Sequence, residues 1–151
     1  MSQSLVQLYV HVVFSTKHRQ PFLTDSVFRN RLHAYLCGIC KNLDSPALIA
    51  GGVADHVHIL CRLAKTGDVS SLIRDLKRDS TKFIKLENPG LHDFHWQNGY
   101  GAFSVSPGHV EALKEYIASQ EAHHKTASFQ DEFRRLCRKY GLDLDERYVW
   151  D

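Results

Sequence analysis

Residues 53–63 read VADHVHILCRL, an apolar segment with two histidines, His56 and His58, at its centre. Its β-branched and aliphatic residues predict a strand. Because side chains alternate between the two faces of a strand, we expect both histidines on one face and Val57 and Ile59 on the other. Two imidazoles side by side on a sheet form half of a metal site, or they are core histidines satisfied by hydrogen bonds. The strand alone leaves both interpretations open.

The sequence around this segment predicts four strands and four helices. The predicted elements are, in order, a strand at 5–14, a helix at 24–41, strands at 47–54 and 56–63, a long helix capped by Asp68, a strand within 94–106, a helix opened by Pro107 and Gly108, and a last helix at 128–140. The first six follow the order of a split βαβ unit. This order predicts an α+β fold, a ferredoxin-like antiparallel sheet with helices on one face. We expect one domain over 1–151, with a core at about 5–125 and a C-terminal extension at about 128–151.

Composition limits the classes of protein to consider. Hydrophobic residues are 43% and charged residues 24%, as in soluble globular proteins. No stretch has the length of a membrane span, and the first residues lack a signal-peptide pattern, so we expect a cytoplasmic protein without a membrane partner. The four cysteines include one pair, CGIC at 37–40, without a second pair at zinc spacing. We therefore expect reduced thiols rather than structural zinc.

The charge pattern bears on nucleic acid binding. A net charge of +2 does not by itself indicate a nucleic acid partner. Basic residues cluster, however, at 15–20, 74–85 and 134–139. Each cluster read alone is a solvated surface, whereas three on a small domain favour a path lined for phosphate groups.

A second pair of side chains follows in EALKEYIASQ, residues 111–120. Tyr116 and Gln120 are four apart on a predicted helix, so they lie one turn apart on the same side. A tyrosine can act as a nucleophile in covalent catalysis, and an amide oxygen can ligate a hard metal ion. A surface tyrosine beside a surface glutamine is the alternative.

Taken together, these features resemble one family. The His–hydrophobic–His pattern of HVH resembles the HUH endonucleases, and a downstream helix with Tyr and Gln four residues later resembles the single-tyrosine, IS200-like transposases of small bacterial insertion sequences. The resemblance covers about residues 5–125. Its five segments, in order, are YVHVVFSTKHRQP, GGVADHVHIL, SSLIRDLKRDSTKFI, WQNGYGAFSVS and the Tyr116 helix.

The resemblance implies a DNA transposase, a metal-dependent endonuclease and strand transferase. Such enzymes bind single-stranded DNA with a subterminal hairpin and form a 5′-phosphotyrosine intermediate. Tyr116 is then the nucleophile, and His56, His58 and Gln120 are neutral ligands of Mg²⁺ or Mn²⁺. The family also implies a homodimer in which the tyrosine helix of one chain completes the metal site of the other, in trans.

The remaining predictions concern DNA contacts and alternatives. Candidate phosphate contacts are Lys17, His18, Arg19, Lys77 and Arg78, and Tyr100 is a candidate for stacking on a base. Two other functions stay open at this point. One is a domesticated relative that cuts host repeat hairpins, and the other is a catalytically idle nucleic-acid-binding module.

Overall fold

A computed structural model describes residues 2–151, which form one four-stranded sheet and five α-helices. The strands are β1 (Tyr9–Ser15), β2 (Ala47–Val53), β3 (His56–Arg62) and β4 (Gly101–Val105), and the helices are α1 (Ser26–Asn42), α2 (Val69–Glu87), α3 (Val110–Ala118), α4 (Gln120–His123) and α5 (Phe129–Lys139). The strands lie in the order β2-β3-β1-β4, and all neighbouring pairs are antiparallel. The predicted ferredoxin-like α+β fold is confirmed.

Carboxylates cap the first turns of the two long helices. The Asp25 side chain accepts hydrogen bonds from the backbone N–H groups of Val27 and Phe28 at the start of α1. The Asp68 side chain accepts one from the N–H of Ser71 at the start of α2, the cap that the sequence predicted. Such caps satisfy backbone donors that have no partner within the helix. They therefore fix where both helices begin.

The main core lies between the sheet and α1 and α2. Alternate residues of β1, Val10, Val12 and Phe14, point into it and meet Leu32 of α1 and Leu76 of α2. All five side chains are buried. This period-two alternation leaves every second residue of β1 and β3 for the opposite face of the sheet.

The opposite face is covered by α3 and α5. Val13 packs there with Phe129 and Phe133 of α5, and Leu60 packs with Ile117 of α3. A ferredoxin-like sheet with helices on one side leaves this face open to a site or a partner. Here the C-terminal helices close over it, so the polar groups on this face are held inside the protein.

The first strand begins later than predicted. The spacing of apolar residues predicts a strand from residue 5, whereas β1 begins at Tyr9. Tyr9 pairs with Arg62 on one side and Val105 on the other, and both partner strands end there. Residues 5–8 therefore have no strand beside them, and their side chains are exposed.

The predicted helix that carries Tyr116 and Gln120 is interrupted. α3 ends at Ala118, Ser119 has φ −100° and ψ 20°, and a short α4 begins at Gln120. The one-turn relation survives the break, since the Gln120 Nε2 lies 3.5 Å from the backbone oxygen of Tyr116.

All four cysteines are free thiols in the structure. Among residues 2–151, no helix combines the length and the apolar character needed to cross a membrane.

Gly51 sets how closely α3 approaches the sheet. A Cβ at Gly51 of β2 would lie 2.7 Å from the backbone oxygen of Ile117, which adjoins Tyr116. Gly51→Ala should therefore push α3 outward and lower the free energy of unfolding by about 1–3 kcal/mol, the usual cost of overpacking. Urea unfolding measures this change.

Gly38 provides the matched control. It lies within α1, and nothing approaches a Cβ there within 4 Å. Gly38→Ala should leave stability unchanged or raise it by up to about 1 kcal/mol, because alanine favours a helix. Equal effects of the two substitutions would contradict the close approach at Gly51.

Candidate functional site

The two histidines of β3 are fully buried, on the face that α3 and α5 cover. Each ring is held through its Nδ1. The Nδ1 of His56 lies 2.6 Å from the Asp55 carboxylate, and the Nδ1 of His58 lies 2.8 Å from the Nε2 of His11 on β1. Asp55 lies in the turn between β2 and β3, so it both belongs to a turn and orients an imidazole. The Nε2 atoms of both rings are therefore directed to one common position on this face of the sheet.

Tyr116 and Gln120 reach this point from α3 and α4. The Gln120 Oε1 lies 3.2 Å from the His56 Nε2, and Gln120 is buried. The Tyr116 ring lies perpendicular to the His58 ring with 5.9 Å between their centres. The structure therefore brings together all four residues that the sequence singled out, and it does so within one chain.

A carboxylate that the sequence analysis missed lies at the centre of these residues. The Oε1 of Glu132, on α5, is 2.9 Å from the Nε2 of His58 and 3.3 Å from the Nε2 of His56. Its Oε2 accepts hydrogen bonds from the Tyr116 hydroxyl and the Gln120 amide. Glu132 has no exposed surface. One carboxylate thus contacts both histidines, the glutamine and the tyrosine.

A signal for Glu132 is present in the sequence. It lies three residues after Phe129 and four before Leu136, on the inward stripe of a strongly amphipathic helix. A charged residue at a core position needs a partner. That position marks Glu132 as unusual, but no spacing in the sequence indicates that its partners lie on β3.

His124 joins the cluster from the end of α4. Its Nδ1 lies 2.7 Å from the carbonyl oxygen of Ala127, so Nδ1 donates its hydrogen there and Nε2 carries a lone pair. That Nε2 is buried without a hydrogen-bond donor and lies 3.2 Å from the Glu132 Oε1. In the sequence, His124 is one of four further histidines that could be spare ligands, with His95, His109 and His123, and no spacing distinguishes it from the others.

The donor set fits a divalent cation. Ligand atoms of His56, His58, His124 and Glu132 all lie within 4.8 Å of one another. When His56 is neutral and its Nδ1 donates to Asp55, its Nε2 is an acceptor that faces two acceptor oxygens, those of Gln120 and Glu132. Binding of a metal ion would require this neutral form, so the ion would displace the Nε2 proton. Acceptors about 3 Å apart with no hydrogen between them are the arrangement found around a metal ion with ligand distances near 2.1 Å. The cluster could therefore hold a divalent metal ion.

Burial and pairing shift the pKa values of the cluster in opposite directions. Burial lowers the pKa of His56, but Asp55 and Glu132 outweigh it and raise that pKa to about 9. Burial and the nearby His58 lower the pKa of His11 to about 3, and burial lowers the pKa of His58. Burial alone would raise the pKa of Glu132, but hydrogen bonds from the surrounding histidines hold it far below its usual range. Glu132 is therefore an ionised carboxylate inside the protein.

Tyr116 is half-buried beside this carboxylate. Burial raises the pKa of its hydroxyl, and the hydrogen bond to Glu132 raises it further. The hydroxyl is therefore protonated at neutral pH. Any reaction in which its oxygen acts as a nucleophile must include removal of that proton.

The two basic residues of α2 that were candidate phosphate contacts are engaged within the protein. The Lys77 ammonium donates to the carbonyl oxygens of Gln97 and Gly99, both at 2.7 Å, and burial lowers the pKa of Lys77 to about 8. The Arg78 side chain pairs with Asp75 and Asp79 on its own helix. Lys77 thus holds the segment that leads into β4.

The basic loop and Tyr100 lie elsewhere on the surface. His18 and Arg19 both have positive φ, 54° and 55°, in a tight turn. Arg19 donates to the Trp150 carbonyl at 2.7 Å, which ties the loop to the C-terminal extension. Lys17 is partly exposed, and Tyr100 is 41% exposed with its ring near the Lys77 ammonium. None of these side chains contacts the histidine cluster.

Two solved structures share this fold. The first, a candidate transposase from Deinococcus radiodurans R1, is 22% identical with a TM-score of 0.63, over 78% of this chain and 93% of its own. The second, a REP-associated tyrosine transposase bound to a REP hairpin, is 15% identical with a TM-score of 0.59, over 81% of this chain and 72% of its own. At these identities the likeness concerns the fold alone.

The sequence itself matches a family model. None of the curated proteins matches the chain. The model described as "Transposase IS200 like" matches residues 4–120, which include the whole sheet, His56, His58, Tyr116 and Gln120, and which end before α5. The chain therefore belongs to the IS200-like transposase family.

Proposed function

We propose that this chain is a metal-dependent endonuclease and strand transferase for single-stranded DNA, acting through Tyr116 at insertion-sequence ends. The observation that carries the proposal is the position of Glu132, whose two oxygens face the histidine pair and the tyrosine hydroxyl. A nucleophile and a candidate cation site are therefore neighbours. Family membership supports the same class of reaction.

His56, His58, His124 and Glu132 would hold the ion, and the Gln120 Oε1 would lie beside it. When bound, Mg²⁺ or Mn²⁺ neutralises charge on the scissile phosphate and stabilises the transition state by several kcal/mol. Glu132 changes the ligand set that the sequence suggested, because its carboxylate cancels one of the two positive charges. The cluster has three imidazoles and one carboxylate and no cysteine, so it does not form a thiolate-bound structural zinc site. Of the two ions that the resemblance implies, Mn²⁺ suits these nitrogen ligands better than Mg²⁺ does.

The chain's own groups account for the covalent step. The Tyr116 oxygen bonds to phosphorus while the bond from phosphorus to the 3′ oxygen breaks, which leaves a 5′-phosphotyrosine. Glu132 accepts a hydrogen bond from the Tyr116 hydroxyl and orients it, but its lowered pKa makes it a weak base. The Tyr116 proton therefore leaves to solvent, and the departing 3′ oxygen takes a proton from solvent. Attack by another 3′ hydroxyl reverses these bond changes and transfers the strand.

A second candidate is a relative that cuts host repeat hairpins. The similarity to a transposase bound to a REP hairpin favours this candidate. Inverted-repeat hairpins at both ends of a short element around the gene would favour insertion-sequence mobility instead. The cluster of buried acceptors argues against an idle binding module, because a binding surface does not need it.

The first test concerns the ion. His56→Ala should lower Mn²⁺ affinity at least tenfold, because a ligand is lost, and it should stop cleavage. Glu132→Gln should lower Mn²⁺ affinity in the same way, because the anionic ligand becomes neutral. Mn²⁺ titration followed by electron paramagnetic resonance measures affinity independently of cleavage.

His95→Ala is the matched control, since His95 is exposed and distant in sequence from the cluster. It should leave Mn²⁺ affinity unchanged. Cleavage by the parent protein that survives exhaustive chelation would contradict the metal site.

The second test concerns the nucleophile. Tyr116→Phe keeps the ring and removes the hydroxyl, so it should abolish the covalent protein–DNA adduct while leaving DNA binding nearly intact. The assay incubates the protein with single-stranded DNA from the flanks of the gene and Mg²⁺, followed by denaturing electrophoresis. Tyr148→Phe, at a 67% exposed tyrosine, is the control and should retain the adduct. An adduct of normal yield from Tyr116→Phe would refute the assignment.

The third test separates a site within one chain from a shared site. The homodimer with sites in trans stays a prediction from the resemblance, and the complete cluster within one chain favours a site in cis. In cis, mixing His58→Ala protein with Tyr116→Phe protein should restore no cleavage, because every site keeps one lesion. In trans, mixed dimers would contain one intact site. Recovered cleavage after subunit exchange would therefore establish the shared site.

A further inference from the structure

A pocket of about 610 Å³ opens between α3, β4 and α5, directly beside Tyr116. Tyr116 and His11 form part of its wall. Both contact the candidate metal cluster, since His11 contacts His58 and Tyr116 contacts Glu132. The volume lies within the range of about 300–1,000 Å³ typical of small-ligand sites. A ligand in this pocket would therefore lie against the Tyr116 side chain.

The lining has two chemically distinct parts. Val105, Leu113 and Leu136 supply apolar surface, and Arg135 and Lys139 supply two cations from successive turns of α5. No aspartate or glutamate is among the lining residues. An apolar wall beside paired cations suits a ligand with a flat apolar part and an anionic part.

The two cations are not used for ion pairs within residues 2–151. Arg134, the neighbour of Arg135, pairs with Asp131 and Glu146. Arg135 instead contacts the Nε2 of His123 at 2.9 Å, and both Arg135 and Lys139 are exposed. The charges on this side of α5 are therefore available to an anion.

We propose that this pocket binds one nucleotide of single-stranded DNA next to the scissile phosphate, with its phosphate group on Arg135 and Lys139 and its base against the apolar wall. The proposal rests on the proposed function, because it supplies the substrate path to Tyr116. Four lining residues, Arg135, Leu136, Lys139 and Tyr140, come from the C-terminal extension, beyond the residues 4–120 that the family model matches. The extension is thus a DNA-binding element as well as the source of Glu132.

The test measures binding without cleavage. A fluorescein-labelled oligothymidylate is titrated with the protein in EDTA at several salt concentrations. The double variant Arg135→Ala/Lys139→Ala should bind more weakly, and the slope of log affinity against log salt should fall by about 0.7, the value for one lost phosphate contact on a single strand. Circular dichroism should show unchanged folding, since both side chains are exposed.

Arg138→Ala is the matched control. Arg138 lies on the same helix, is exposed and does not line the pocket. Its removal should leave the salt slope of pocket binding unchanged. If the double variant and wild type share the same affinity and slope, or if Arg138→Ala has the larger effect, the pocket assignment is overturned.

Photocrosslinking locates the bound strand. With bromouracil in place of thymine, irradiation should attach the oligonucleotide to peptides containing Tyr116 or Tyr140, and attachment to α1 or α2 instead would overturn the proposal. Wild-type protein that binds no oligonucleotide would overturn both the pocket and the proposed function. Binding that depends on Arg135 and Lys139, without any tyrosine adduct in Mg²⁺, would support the pocket and contradict the proposed chemistry.

Discussion

The arrangement of the second face of the sheet depends on one constraint, which is that the buried carboxylate of Glu132 must be surrounded by partners. An ionised carboxylate without exposed surface is strongly unfavourable unless charged or hydrogen-bonding groups surround it. Here His56, His58, His124, Gln120 and Tyr116 all contact it. These side chains come from β3, α3, α4 and the loop after α4, while Glu132 comes from α5. The need to satisfy this one carboxylate therefore links β3 to α3, α4 and α5, which apolar contacts pack against the sheet.

The two faces of the sheet have different roles. One face packs apolar residues against α1 and α2 and supplies the main core. The other carries His11, His56 and His58, with apolar groups around them that exclude water. A polar cluster in such surroundings interacts more strongly than it would in solvent. The same strand alternation therefore builds both the core and the site.

Much of the site could be predicted because it depends on local periodicity. The two-residue spacing of His56 and His58 fixes their common face in any strand. The four-residue spacing of Tyr116 and Gln120 places them one turn apart, even though Ser119 interrupts the helix. Lys77 shows the opposite case. Its sequence context suggested a phosphate contact, which stays a prediction, and nothing in the sequence indicated that its ammonium donates to the carbonyl oxygens of residues 97–99.

By itself, the sequence determined the order of strands and helices, the ferredoxin-like class and the family, because these follow from repeating patterns and short motifs. Only the tertiary structure decided that α5 of the extension joins α3 over the second face, that Glu132 and His124 join the histidine pair, and that one chain brings all these groups together. Glu132 lies 74 residues from His58 along the chain, and their contact depends on how α5 packs on the sheet. No local spacing encodes such a contact, since it arises from the summed packing of Phe129 and Phe133 against Val13 and Phe103.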